Sequence, residues 1–228
     1  MGKNLRTFFE LARLGMGAAL LALFAFTSVS RATVIVDSLG DTRVGDANGL
    51  YKAEDFSTTV GGQISSVILS LNFNTAAVTA GSTLDVYLYS ATGSGPTGSG
   101  FNLGTITATT AGDTQYTLSG SGLNAYSLIA GSDYAIVIDL ALASGSVGWE
   151  YASAGSGNTG TGGSFLHAYN SNTGTSGWVQ PSPDQQRFME VDAVPEPMTG
   201  AIMGIGALAI AAGHTLRRRK MAASPTNA

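Results

Sequence analysis

Asp133-Tyr134-Ala135-Ile136-Val137-Ile138-Asp139-Leu140 reads as a β-strand with two apolar faces. Tyr134, Ile136, Ile138 and Leu140 alternate along one face, while Ala135, Val137 and the following Ala141 keep the other apolar as well. Side chains of a strand alternate between faces, so a strand apolar on both belongs in the middle of a covered sheet, as in a sandwich. Outward from it the same period recurs. Ile64, Val67, Leu69, Leu71 and Phe73 fall mostly on one face, and Leu84, Val86 and Leu88 stand opposite Asp85, Tyr87 and Tyr89. Thr33 to Leu39 opens the series, and shorter runs follow at 53–60, 103–108, 115–118, 146–151, 164–169, 177–179 and 187–191. Gly, Ser, Asn and Asp clusters separate them, which is the punctuation of antiparallel sheet. No amphipathic helix of three turns interrupts, and no fixed-period repeat appears. The expected fold is an all-β antiparallel sandwich, jelly-roll-like, a single domain of about eight to ten strands. The Gly-rich stretches at 93–100 and 155–163 are expected to be loops.

The chain has 228 residues and no cysteine, which excludes disulfides and thiolate chemistry. Between Thr33 and Ala193 the only cations are Arg43, Lys52 and Arg187, against thirteen carboxylates, a net charge of minus ten. Such a surface repels nucleic acid and anionic lipid.

The two ends are of a different kind. Lys3, Arg6 and Arg13 precede an apolar stretch from Leu14 to Phe26 with small residues near Ala32, which reads as a secretory signal peptide over residues 1–32 and implies export through the Sec translocon. At the other end Val194-Pro195-Glu196-Pro197 precedes an apolar segment over 198–213, the cations Arg217, Arg218, Arg219 and Lys220, and a tail over 221–228. As a helix the apolar segment is about 24 Å long against a hydrocarbon core of roughly 30 Å. The four cations would hold the chain on the cytoplasmic side. Two prolines around Glu196 disfavour helix and leave that tetrapeptide extended. The β domain, over 33–193, is thus expected between a signal helix and a C-terminal transmembrane helix.

Residues 194–220, in that three-part order, resemble a PEP-CTERM sorting signal. The resemblance implies that an exosortase-type processing protease removes the tail near Glu196-Pro197 and releases the protein to the surface of a Gram-negative bacterium. Within the β region, Glu54-Asp55-Phe56, Ile64-Ser65-Ser66-Val67-Ile68-Leu69, Val86-Tyr87-Leu88-Tyr89 with Gly95-Pro96, and Leu128-Ile129-Ala130-Gly131-Ser132-Asp133-Tyr134 are similar to the choice-of-anchor R domain. That resemblance implies a β-sandwich and no catalytic residues.

The chemistry-bearing patterns are few. Two G-x-G-x-x-G matches begin at Gly93 and Gly155, but neither leads into a helix whose amides would hold a phosphate. His167 is the one histidine of the mature region, so a Ser-His-Asp mechanism would rest on it alone. Acidic residues are numerous, yet no spacing selects a pair for glycoside hydrolysis. Thr105, Thr107 and Thr109 make too short an array for an ice-binding face. Asp37, Asp41, Asp46, Asn48, Glu54 and Asp55 crowd around three glycines and form a candidate Ca²⁺ site of hard oxygen ligands, although Asp and Asn also favour turns. Trp149, Tyr151, Tyr169 and Trp178 form a candidate glycan-binding set, since sugars stack on aromatic faces, although tryptophans also plug sandwich cores. The function expected is that of a secreted, non-enzymatic protein of the bacterial exterior, a structural or adhesive component of the exopolysaccharide matrix. The alternatives are a carbohydrate-binding module, Ca²⁺-dependent or not, and a carbohydrate-active enzyme.

Overall fold

The computed structural model describes residues 31–47, 50–73, 83–108, 112–139, 147–153 and 157–196. The chain divides into two compact units, 1–31 and 32–228, and every described strand belongs to the second. The expected signal helix, the transmembrane segment 198–213, Pro197 and the cations Arg217 to Lys220 lie outside the described residues. Among those described, no helix is long and apolar enough to cross a membrane.

The described residues of unit 32–228 are all-β with antiparallel sheets. Its strands are β1 Thr33–Asp37, β2 Gly45–Ala47, β3 Tyr51–Thr58, β4 Gly62–Phe73, β5 Thr83–Thr92, β6 Gly95–Thr107, β7 Gly112–Ser119, β8 Ser127–Leu128, β9 Ser132–Asp139, β10 Val147–Ser153, β11 Gly163–Ser171, β12 Gln185–Arg187 and β13 Met189–Val194. Eight of them form one sheet, ordered β1-β13-β4-β10-β12, with β7 and β8 pairing β4 and β2 pairing β10. The other five are ordered β11-β3-β9-β5-β6. β9, carrying the Tyr134–Asp139 run, is the third of five and buried along both faces.

Between the sheets lies the main core, which includes Ile64, Val67, Leu69, Leu71 and Phe73 from β4, Trp149 from β10, Met189 and Val191 from β13, and Phe56, Val86, Leu88, Tyr134, Ile136 and Ile138 from the smaller sheet. Two irregularities explain how the sequence fills it. Ile64 and Val67 are three apart, an odd step that would put them on opposite faces. A register shift opposite Asp192 and Ala193 makes Ser65 the extra residue, so both point inward. β1 does the same: the shift between Val34 and Val36 lets Ile35 and Val36 both bury fully.

The first and last of the described strands are neighbours, with Thr33 opposite Ala193. β13 runs into Pro195 without a linker. Gly62, at a φ of 155°, passes so close that a Cβ there would lie 2.3 Å from the Val194 carbonyl oxygen.

The stretch 93–100, expected as a loop, is mostly strand: β6 begins at Gly95, just past a tight turn, and runs for 13 residues against β5. Gly95 and Gly98 adopt positive φ there, a conformation open to glycine that bends the strand without ending it. The strand count exceeds the expected one because β2, β8 and β12 are three residues or fewer, too short to show a period.

Candidate functional site: the outer face of the five-stranded sheet

A second apolar cluster sits on the face of the smaller sheet turned away from the main core. It joins Ala53, Tyr89, Ala135, Val137 and Tyr169, with Tyr87, Ala91 and Trp178 packed against them. Register explains the shape. One row across the strands runs Tyr169, Ala53, Val137, Tyr87, and the next runs Asp55, Ala135, Tyr89. Small residues on the two central strands make a floor, and aromatics on the flanking strands rise on either side. The result is a trough whose floor the aromatics cover, since Ala53, Ala135 and Val137 are at most 1% exposed.

Trp178 reaches it from the segment after β11, held by a reciprocal pair of backbone hydrogen bonds between Asn170 and Val179, each 2.9 Å. Across the trough the β5–β6 turn leans in. The Tyr169 hydroxyl donates to the Gly93 carbonyl at 3.1 Å, and a Cβ on Gly95 would lie 3.1 Å from Trp178 Cβ. At the other end Tyr51, Asp139 and Asp85 flank a half-buried Tyr87. Asp85 accepts from Thr105 Oγ1 at 2.7 Å and from the Tyr87 hydroxyl at 3.3 Å. Burial first, and then the Asp85 carboxylate, push the Tyr87 phenol above its usual value.

Two polar atoms of this face are buried with no hydrogen-bond partner among the described residues, Asp55 Oδ1 and Trp178 Nε1. Asp55 is 1% exposed. Burial, then the nearby Asp133 carboxylate, push its carboxyl up to about 8. A folded value above the unfolded one means that the stability contributed by the protonated group is complete below about pH 4 and is lost as pH rises through 8. Asp55→Asn keeps the shape without the charge. It is expected to unfold like the wild type near pH 4 and to be more stable at pH 8 by at least about 2 kcal/mol, each pH unit being worth up to about 1.4. Urea titrations at the two pH values check this, and an equal difference at both would refute it.

At the edge strand, His167 Nδ1 lies 3.0 Å from Asp184 Oδ2 and 3.2 Å from Gln180 Nε2. A single ring nitrogen cannot donate to one and accept from the other at once, and the carboxylate, a pure acceptor, fixes the proton on Nδ1. Among the described residues no serine or threonine hydroxyl bonds this ring, so the pair is not extended into a triad.

The structure separates the sequence-derived candidates. Tyr169 and Trp178 come together in the trough. Trp149 does not: it is wholly buried in the main core, its Nε1 donating to the Phe188 carbonyl at 3.0 Å and the Arg187 guanidinium 5.5 Å from its ring. It has no free face on which a sugar could stack. Tyr151 lies with it on β10, in the other sheet, its hydroxyl against Gly45. The described Ca²⁺ candidates do not converge on one point, although Asp41 is near enough to Asp37 to feel its charge. Asp37 accepts from the Leu39 amide at 2.9 Å, which is turn chemistry, and from the distant Thr159 hydroxyl. Asp41 accepts from Gln186 Nε2 at 3.4 Å. Asp46 stands opposite Glu150 in β2, and Asn48 lies outside the described residues. Glu54 and Asp55, being adjacent on β3, face opposite sides of the sheet, Glu54 into the main core and Asp55 into the trough, and cannot share one ion. Among the described residues no group of three His, Asp or Glu is placed to hold a metal. Of the sorting motif, Val194 ends β13, Glu196 is exposed, and Pro197 is not described.

Tyr87, Tyr89 and Asp85 belong to the face although the sequence did not single them out as a site. Their alternation was visible; their juxtaposition with Tyr169 across two strands was not.

No protein-family model matches the chain, and no curated protein sequence does. Among the solved structures that partly superimpose on it is "the cysteine protease and lectin-like domains of Cwp84, a surface layer associated protein of Clostridium difficile", at 15% identity and a TM-score of 0.45, covering 66% of this chain. This chain spans about a third of that one, 33% of its length.

Proposed function

We propose that the chain is an exported, non-enzymatic protein of the bacterial exterior, sorted through its PEP-CTERM tail, and that its sandwich is a structural or adhesive component of the exopolysaccharide matrix. The trough supplies the contact. Trp178 and Tyr87 are the partly exposed aromatics of this face, packed over a floor of small residues, and Asp85 lies beside Tyr87 to meet sugar hydroxyls. The acidic surface suits a neutral or cation-bridged polysaccharide and disfavours nucleic acid. The position of β13 supports the sorting reading: the last described strand ends at Val194, where the Val-Pro-Glu-Pro motif begins, so a cut in the motif would fall just past the sheet.

One preparation tests both halves. Protein is recovered from fractionated producing cells, its C-terminus is read by mass spectrometry, and its migration is followed in gels cast with polysaccharide from the same cells. Expected are loss of the segment beyond the motif and retardation that Tyr87→Ala and Trp178→Ala each weaken at least about threefold, in line with the loss of a stacking contact. An intact chain through Ala228 in the membrane fraction would sink the sorting reading. Equal retardation of variants and wild type, or none, would sink the trough as the contact.

A further inference from the structure

Two of the mature region's three cations are wholly buried, and Lys52 is one of them. It lies on the core-facing side of β3, two residues before Glu54, which is also buried. Directly opposite Lys52 on β11 stands Asn170. Asn170 spends its backbone N–H and C=O on Val179, on the far side of β11. It therefore faces Lys52 as a non-hydrogen-bonded pair, the closer of the two antiparallel pair types, with Cα atoms about 4.5 Å apart. Registered partners share a face, so the amine, the carboxamide and the Glu54 carboxyl all belong to one side of two adjacent strands. Arg187 completes the group: its Nη2 donates to Asn170 Oδ1 at 2.8 Å, and its backbone N–H donates to Glu54 Oε2 at 3.1 Å. Glu54 Oε1 has no hydrogen-bond partner among the described residues.

We propose that Lys52 and Asn170 become joined by an isopeptide bond between their side chains, formed within the folded domain with Glu54 as the proton-transfer group. The Lys52 amine attacks Asn170 Cγ, whose carbonyl is polarised by the Arg187 guanidinium. The new C–N bond replaces the bond from Cγ to the carboxamide nitrogen, which leaves as ammonia. Glu54 gives its proton to the departing nitrogen and regains one from the attacking nitrogen. The amine and carboxamide thus yield a secondary amide and ammonia, with no oxidant, cofactor or water consumed. The protonation states suit the step: burial, and then the Arg187 charge, lower the Lys52 ammonium to about 6, leaving a neutral nucleophile at neutral pH. Burial above all raises the Glu54 carboxyl well above its usual value, so it holds a proton to give. The same burial keeps water from the product.

The test is peptide mapping by mass spectrometry of the full-length wild-type protein after denaturation and proteolysis, set beside Lys52→Met and Glu54→Gln. Expected from the wild type is one branched peptide containing Lys52 and Asn170, lighter than its two linear parts by one ammonia, with both linear peptides recovered at full mass from each variant. Separate linear peptides from the wild type would overturn the proposal. So would an ammonia loss at Asn170 that persists in Lys52→Met, because Asn170 precedes Ser171 and could cyclise on its own backbone. The wild-type map decides the matter even where a variant folds poorly.

Discussion

Arg187→Ala is expected to destabilise the domain by about 3–5 kcal/mol, the usual consequence of removing one member of a buried charged group. Arg187 rises from β12 in the larger sheet and ends in the smaller one. Its Nε donates to the Ala53 carbonyl at 3.2 Å, and its Nη2 donates to the Tyr169 carbonyl at 3.2 Å as well as to Asn170. Its charge also opposes the burial that raises Glu54. Truncation takes the guanidinium donors from the Ala53 and Tyr169 carbonyls and from Asn170 Oδ1, and removes the charge that offsets the burial of Glu54, whose hydrogen bond from the backbone N–H of residue 187 remains. For a domain of this size each kcal/mol lowers Tm by about 2–4 °C, so a fall of roughly 10 °C is expected by calorimetry. Arg187→Lys keeps a charge but not the fork that reaches several acceptors, and is expected to recover less than half of the loss. A change below about 1 kcal/mol in the alanine variant would show that these acceptors find other donors.

Trp149→Ala is the second large effect, about 3–5 kcal/mol, from the cavity left by a wholly buried indole. Trp149→Phe fills most of the space but gives up the hydrogen bond to the Phe188 carbonyl, so a loss of about 1–3 kcal/mol is expected. Because the Arg187 guanidinium lies over the Trp149 ring, the two alanine substitutions remove one shared contact. The double variant should be less unstable than the sum of the singles, by about 0.5–2 kcal/mol. Denaturant titrations of the four proteins measure this, and strict additivity would show that the pair does not interact.

What the sequence made legible was whatever depends on a local period. The Tyr134–Asp139 strand, its central place and its two apolar faces follow from alternation alone, as do most of β4 and β5. What it concealed depends on partners far along the chain. Gly95 and Pro96 are poor strand formers, yet β5 draws Gly95 to Thr97 into the ladder. Trp149 and Trp178 look alike as residues in Gly-rich surroundings, yet β10 delivers one to the main core and the bridge to Asn170 delivers the other to the trough. Lys52 and Arg187 would ordinarily be read as solvated cations. Arg187 is interior because carbonyl groups, a carboxamide and Glu54 from two strands, β3 and β11, converge on it, a convergence that no short window of sequence contains.

The pairing of Thr33 with Ala193 has a mechanical consequence. Because the first and last strands leave the sheet side by side, tension applied between the two ends would peel β1 from β13 one hydrogen-bonded pair at a time, the weakest way to load a ladder. A pull on the C-terminal end alone runs along β13, which lies between β1 and β4, and must shear two ladders together. A domain held only at Val194 would therefore meet drag through a strand paired on both sides.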